Sequence, residues 1–379
     1  AYLERKLQVL RQICTLRHLI LLDNFDTGDC ENLDFLTELP CPILVTSRVD
    51  YDGIFPQYEV DILSDESALY QMMAYYTKRE PDLYTDAILK ALNGHTMAVE
   101  LVAKQMALHQ LTFREMYEIL CAEGISGDDG KVRQLKDSTL REKTAFHHME
   151  ILFSVLDLSE SEKQVLRCAA LVGATSMERQ YFEVISDLNE AEISSLDRLI
   201  QSGWISEVYQ NEMCTLSTHP LIVEVLCEKL RPNSRECKRI LIMSGAVASY
   251  IEKSENAEQR FLSVQWLDHM AHHIQGDDPE LSYFFGTMCY PHSSVLSELG
   301  EFQDCNIIAA EALECFQKNF GELHEQMQWA YLMVGDNYRK AGDKENAKRY
   351  YDLAIRVLRE NDYETDELEE RVEEILQGM

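Results

Sequence analysis

At 379 residues the chain is too long for one ordinary domain, and at roughly 150 residues per domain it should hold two or three. Apolar residues make up 46%, enough for real cores, which excludes wholesale disorder. With 35 Lys and Arg against 66 Asp and Glu the formal charge is −31, a field that repels phosphate backbones and anionic headgroups and speaks against nucleic acid or a membrane surface as direct ligand.

In chain order, Leu3, Leu7, Leu10 and Ile13 recur at helical spacing. Leu19 to Leu22 and Ile43 to Val45 are short apolar runs without alternation, the pattern of parallel strands covered on both faces. They end in Asp23-Asn24 and in Thr46-Ser47-Arg48, and polar residues just past such strand ends line ligand crevices. A helix is expected from about Ser64, with Leu69, Met72, Met73 and Tyr76 on its apolar face. A second, at 83–92, stops at Asn93-Gly94, and Thr96 is read as the cap of a third that carries Ala98, Leu101, Val102 and Met106. Gly124 to Gly130 reads as a linker.

Helices are expected next at 146–156, 160–172, 177–186 and 190–202, the second capped by Ser159 with Glu162 three residues on. A hairpin follows, Trp204 to Tyr209 and Met213 to Leu216, and His219-Pro220 opens one more helix. Helices finished by a hairpin make a winged-helix pattern. The helix from Leu188 to Ser202 carries Glu190, Glu192 and Asp197 against Arg198 alone, the wrong charge for a DNA-reading helix.

The remainder is helical and contains a repeat. Gly342-Asp343, preceded by Gly335 and Tyr338 and followed by Ala347, Tyr351 and Ala354, fits the tetratricopeptide pattern over 328–361. A weaker copy at 286–327 aligns Gly300-Glu301 and Ala312 after a shift of 42 residues. The acidic end, Glu360 to Met379, reads as a capping helix.

The 11 cysteines are odd in number, scattered and lack a C-x-x-C pair, so they read as small buried groups of a reducing cytoplasmic compartment. No apolar run approaches a membrane span and no signal peptide opens the chain. His324-Glu325 lacks the second histidine of a zincin helix, since Gln328 stands in its place. His269, His272 and His273 share a helical face; without a carboxylate partner they read as a polar helix edge.

The constellation that carries chemistry starts at Asp23. An acid after an apolar strand, with a hydroxyl and a cation at a neighbouring strand end, suits Mg²⁺ and the terminal phosphate of a nucleotide. The ordered set Asp23-Asn24-Phe25-Asp26, Thr46-Ser47-Arg48, Leu92 to Ala98, winged helix and His219-Pro220-Leu221 resembles the NB-ARC type of signal-transduction ATPases with numerous domains, the STAND class. The resemblance spans about 1–232, and repeats such as those beyond it are common sensor arrays in that class.

The resemblance implies that Asp23 is the Walker B acid for Mg²⁺. Asn24 stands where many relatives have a second acid, and an amide is no general base, so hydrolysis should be slow. Arg48 matches the sensor facing the γ-phosphate. Gly94 and Thr96 fall in the loop against the adenine, with Thr96 in place of a proline. His219 matches the histidine that contacts the ADP β-phosphate, with Pro220 where the family has an aspartate. No G-x-x-x-x-G-K-[ST] loop occurs, which reads as truncation upstream of Ala1.

The expectation is a mainly α chain: a partial P-loop-type α/β remnant at 1–62, a helical lid at 63–125, a winged helix at 140–232 and a tetratricopeptide-like superhelix at 233–379. Its function would be that of a nucleotide-dependent switch whose repeats bind a protein or peptide partner. ATP or ADP with Mg²⁺ belongs to the parent protein, a slow ATPase that could form a nucleotide-dependent homo-oligomer, and the chain alone should bind none tightly. The rival readings are a non-catalytic tetratricopeptide scaffold and the regulatory part of a transcriptional regulator whose DNA-binding domain lies elsewhere.

Overall fold

In the computed structural model the chain is mainly α. The structure describes residues 2–22, 25, 38–47, 56, 58, 66–122, 146–153, 158–210, 213–252, parts of 266–274 and 309–318, 321–325 and 327–377. Two compact units form, one from Ala1–Glu66 and the other from Ser67–Asp129 with Ala145–Met379.

In the first unit α1 (Tyr2–Ile13) precedes β1 (Ile20–Leu22) and β2 (Ile43–Val45), which pair in parallel with Leu22 beside Val45. The Thr46 N–H donates to the Leu22 carbonyl and the Phe25 N–H to the Thr46 carbonyl, both at 2.8 Å, so pairing runs to the strand ends. Ile20, Leu22 and Ile43 pack on Cys14, Leu39 and Cys41. The other face corrects the expectation of strands covered on both sides: Leu21 and Leu44 are 58% and 54% exposed. Lack of alternation in three-residue runs does not distinguish one covered face from two.

The second unit begins with α2 (Glu66–Thr77), α3 (Leu83–Ala91), α4 (Thr96–His109) and α5 (Phe113–Ala122). Asp82 caps α3 in a reciprocal box with Thr85. The stop after α3 uses two left-handed residues, Asn93 at φ 51° and Gly94 at φ 65°. A short helical stretch at 146–153 is followed by α6 (Glu160–Val172), capped by Ser159 and Glu162 as the sequence indicates. Then come β3 (Met177–Glu178), α7 (Arg179–Ile185), α8 (Glu190–Gln201), β4 (Ser206–Gln210), β5 (Met213–Ser217) and α9 (Pro220–Leu230), followed by α10 (Lys238–Glu252). The strands form an antiparallel sheet of order β3-β5-β4. The hairpin expected from Trp204 starts two residues later; Trp204 and Ile205 are buried in the core instead.

Arg179 ties this region together, reaching Glu183 at 2.8 Å, Asp197 at 2.6 Å and Glu207 at 2.9 Å from α7, α8 and β4. The charges of α8 are spent internally: Asp197 on Arg179, Glu192 on Arg239 and Arg198 on Glu162. Its one arginine is thus committed to a carboxylate rather than offered to a phosphate backbone.

At the C-terminal end α11 (Met327–Lys340) and α12 (Lys344–Glu360) form a hairpin, with α13 (Asp366–Gln377) against α12. Gly342 turns at φ 83°, and Asp343 caps α12 by accepting the Asn346 N–H at 3.1 Å. A Cβ on Gly335 would stand 2.8 Å from the Tyr351 ring, whose hydroxyl donates to Asp336 at 2.6 Å. Small size at 335 is therefore what lets the two helices approach. Gly335→Leu should splay the hairpin and cost about 1–3 kcal/mol, read as an earlier loss of helical circular dichroism in urea. Most of the weaker repeat copy, including Gly300, Glu301 and Ala312, lies outside the described residues, as do the 124–130 linker and the Ser64 helix start.

Cys14, Cys41, Cys168 and Cys237 are buried, and no disulfide joins the described cysteines. Burial pushes the Cys168 and Cys237 thiols up to about 12, which keeps them protonated and inert. No described helix is long and apolar enough to cross a membrane.

Candidate functional site

Asp23, Asn24 and Arg48 lie outside the described residues. The described ladder brings the C-terminal ends of β1 and β2 side by side, with Leu22 and Val45 the last paired residues. Of the other sequence candidates, Gly94, Thr96 and His219 all fall in the second unit.

Gly94 ends the turn after α3, where an added Cβ would stand 3.4 Å from a Leu69 methyl, and Thr96 is the first residue of α4. The expected cap at Thr96 is corrected: His95 is the N-cap, its Nδ1 accepting the Ala98 N–H at 3.4 Å. The reason is chemical. An imidazole with an unprotonated Nδ1 is an acceptor of the same reach as Asn or Asp, and Thr96 already has helical backbone.

His219 does the same for α9. Its Nδ1 accepts the Leu221 N–H at 3.2 Å, and Pro220 occupies the first helical position, where a missing N–H costs nothing. Two helix starts are thus capped by neutral histidines, and they lie near enough to interact. Burial lowers the His95 pKa first, and the His219 imidazole lowers it further. His148 joins them from the 146–153 stretch: burial pushes it down to about 4, with His95 and then His147 adding to the shift. It is 6% exposed, and its Nδ1 has no hydrogen-bond partner among the described residues.

This junction of His95, His148 and His219 is held by packing from both sides. Gly203, at φ 85°, turns the chain against α4, where an added Cβ would stand 2.8 Å from the Lys104 side chain and 3.2 Å from Leu101. Trp204, buried beside it, meets Phe153 edge-on with centroids 5.6 Å apart. Residues 146–153, α4 and the turn before β4 are thereby fixed around one core.

Electrostatically the junction suits an anion. A helix N-terminus carries about half a positive charge and orphan N–H groups. Two such ends, with the N–H groups that the His95 and His219 caps leave over and the unpartnered His148 Nδ1 beside them, suit a phosphate without a lysine. An anion there would offset the desolvation that now keeps His95 and His148 neutral, and the orphaned His148 Nδ1 is a donor in waiting once protonated. The described residues therefore fit the phosphate end of a nucleotide. His95 and His148 are the residues sequence reasoning missed: His95 was visible inside the Leu92–Ala98 stretch, but nothing in spacing joins it to His148.

No protein-family model matches the chain, and no curated protein does. Among solved structures it is similar to the crystal structure of a signal transduction ATPase with numerous domains (STAND) protein with a tetratricopeptide repeat sensor from Pyrococcus horikoshii. The TM-score is 0.43 with 13% identity, covering 91% of this chain and 50% of that one. The chain thus spans about half the length of that protein.

Proposed function

We propose that the chain is the sensor-bearing part of a nucleotide-dependent signalling switch of NB-ARC type. In this reading the phosphate end of a bound ADP is met by the helix starts at His95 and His219. The observation that carries the reading is the convergence, within one compact unit, of two histidine-capped helix N-termini beside the buried His148. The order of the motifs along the sequence supports it.

The residues divide the work as follows. His219 holds the β-phosphate from the helical region closed by the β4–β5 hairpin, read as a winged helix, and the helix start at Gly94–Thr96, capped by His95, meets the same phosphates in place of the adenine contact that the motif order implies. By motif order alone, Asp23 would hold Mg²⁺ and Arg48 the terminal phosphate in the parent protein. The nucleotide supplies the anionic charge and the phosphoanhydride bond when bound; Asn24 supplies no base to activate water, so turnover is slow. A bridge through His219 keeps the resting form closed, and a partner at the repeats shifts the population away from it. The groove between α12 and α13 suits a peptide, with Ile355 and Val372 as its apolar floor and Lys348, Arg356, Glu369 and Glu373 along its rim.

The test compares ADP retention by the full-length protein with that of His219→Ala and His219→Asn. Alanine also removes a helix cap worth about 1 kcal/mol, whereas asparagine keeps a capping acceptor without an imidazole. Both variants are expected to release ADP at least about tenfold faster, a loss of about 1.4 kcal/mol, with His219→Asn folding like the parent. Retention by His219→Asn equal to that of the parent would contradict the bridge, and absence of ADP from both proteins would favour a scaffold that carries no nucleotide.

A further inference from the structure

Away from the helix-start junction, the end of α6 gathers a second set of donor groups. Cys227 on α9 and His269 and His273 in the helical residues of 266–274 each offer one ligand atom, and these three atoms lie within 4.8 Å of one another. We propose that they form a site for a divalent transition metal of borderline softness, Zn²⁺ above all.

The donor set selects the metal class. One thiolate and two imidazoles suit Zn²⁺ or Co²⁺, whereas Mg²⁺ and Ca²⁺ ask for oxygen. Histidines four residues apart lie on one face of a helix, and these two rings stack with centroids 4.0 Å apart. The His273 Nδ1–H donates to the His269 carbonyl at 2.9 Å, the outer contact that fixes a ligating histidine's tautomer and leaves Nε2 with its lone pair.

Cys227 Sγ and His269 Nε2 both approach the Ala170 carbonyl, at 3.9 and 2.9 Å. Ala170 lies in the last turn of α6, where carbonyls lack intrahelical partners and the helix end carries about half a negative charge. A cation is favoured there. Room for the His269 ring comes from Gly173, at φ 77°, where an added Cβ would stand 2.7 Å from the ring.

On binding, the Cys227 thiol gives up its proton to solvent and the sulfur becomes a thiolate ligand. His269 moves its ring proton to the other nitrogen and stays neutral. Coordination therefore releases one proton and leaves the fourth position to water. Because the thiol must lose its proton to become a ligand, affinity should rise with pH. The site would clamp α9, the helix that His219 caps, to the stretch carrying His269 and His273.

The experiment is a Co²⁺ titration of the chelator-stripped chain followed by absorption, with Zn²⁺ competition and thermal unfolding as second readouts. One equivalent of Co²⁺ is expected to give a thiolate-to-cobalt charge-transfer band and the intense visible bands of four-coordinate cobalt, both erased by Zn²⁺. Cys227→Ser should remove the charge-transfer band. His273→Gln, at an exposed position where folding is not at stake, should weaken binding by at least the roughly tenfold that losing even an outer partner costs. The pale spectrum of hydrated Co²⁺ would overturn the assignment, as would an unchanged charge-transfer band in Cys227→Ser, which would place the metal on another of the 11 cysteines.

Discussion

Trp204→Ala should lower the unfolding free energy of the second unit by about 3–5 kcal/mol, the range for emptying a buried aromatic site. Trp204 is 1% exposed and stands edge-on to Phe153 at an interplanar angle of 81°. Its loss would leave a cavity where α4, the 146–153 stretch and the turn before β4 meet, so the histidine junction should loosen with it. The indole Nε1 is buried without a hydrogen-bond partner among the described residues, which sharpens the test. Trp204→Phe keeps a ring against Phe153 and deletes that orphaned donor, so it should cost a fraction of the alanine variant. Urea unfolding of both variants checks this. Equal losses would mean that the aromatic packing is not what holds the junction.

The second large effect is a loss of stability in acid traced to His148. Its folded pKa of about 4 lies below the ordinary value of 6.5 because burial disfavours the charged ring, with His95 and His147 adding to it. A depressed histidine contributes its full stability above pH 6.5. That contribution falls as the unfolded chain takes up a proton the folded chain refuses, and it levels off below about 4. At about 1.4 kcal/mol per pH unit the window is worth about 3 kcal/mol. Carboxylates held low by their partners, such as Glu162 beside Ser159 and Arg198, also lose stability in acid, so the measurement is a difference. His148→Leu should lose about 2–3 kcal/mol less than the parent between about pH 7.5 and about 4.5, which takes in about two pH units of the window. Identical acid losses in the two proteins would remove His148 from the account.

Much of the helical organisation was legible locally because caps are written within four residues. Ser159 with Glu162, His219 before Pro220, and Gly342-Asp343 between the repeat helices all stand where the sequence puts them. The Ala347, Tyr351 and Ala354 face was legible by the same logic, since it is a helical period of buried positions. His95 was misread because Thr96 is the commoner cap, and only the backbone shows which residue is still non-helical. The face of β1 and β2 was misread because three apolar residues carry no period.

The two proposed clusters were beyond sequence spacing altogether. His95, His148 and His219 come from three separate elements, and Cys227 lies 42 residues before His269. The histidine face at 269–273 was visible and read as a polar edge. The sulfur that turns it into a donor set arrives only through the packing of α9 on α6. Asp23 and Arg48 lie outside the described residues, and the parallel register that precedes them ends at Leu22 and Val45.

The most direct test of the central claim is a histidine NMR titration of this chain with and without inorganic pyrophosphate. If the two helix starts and His148 receive a phosphate group, pyrophosphate should raise the pKa of His148 well above about 4 and that of His95 with it. Titration curves for His95 and His148 that do not move at saturating pyrophosphate would contradict it.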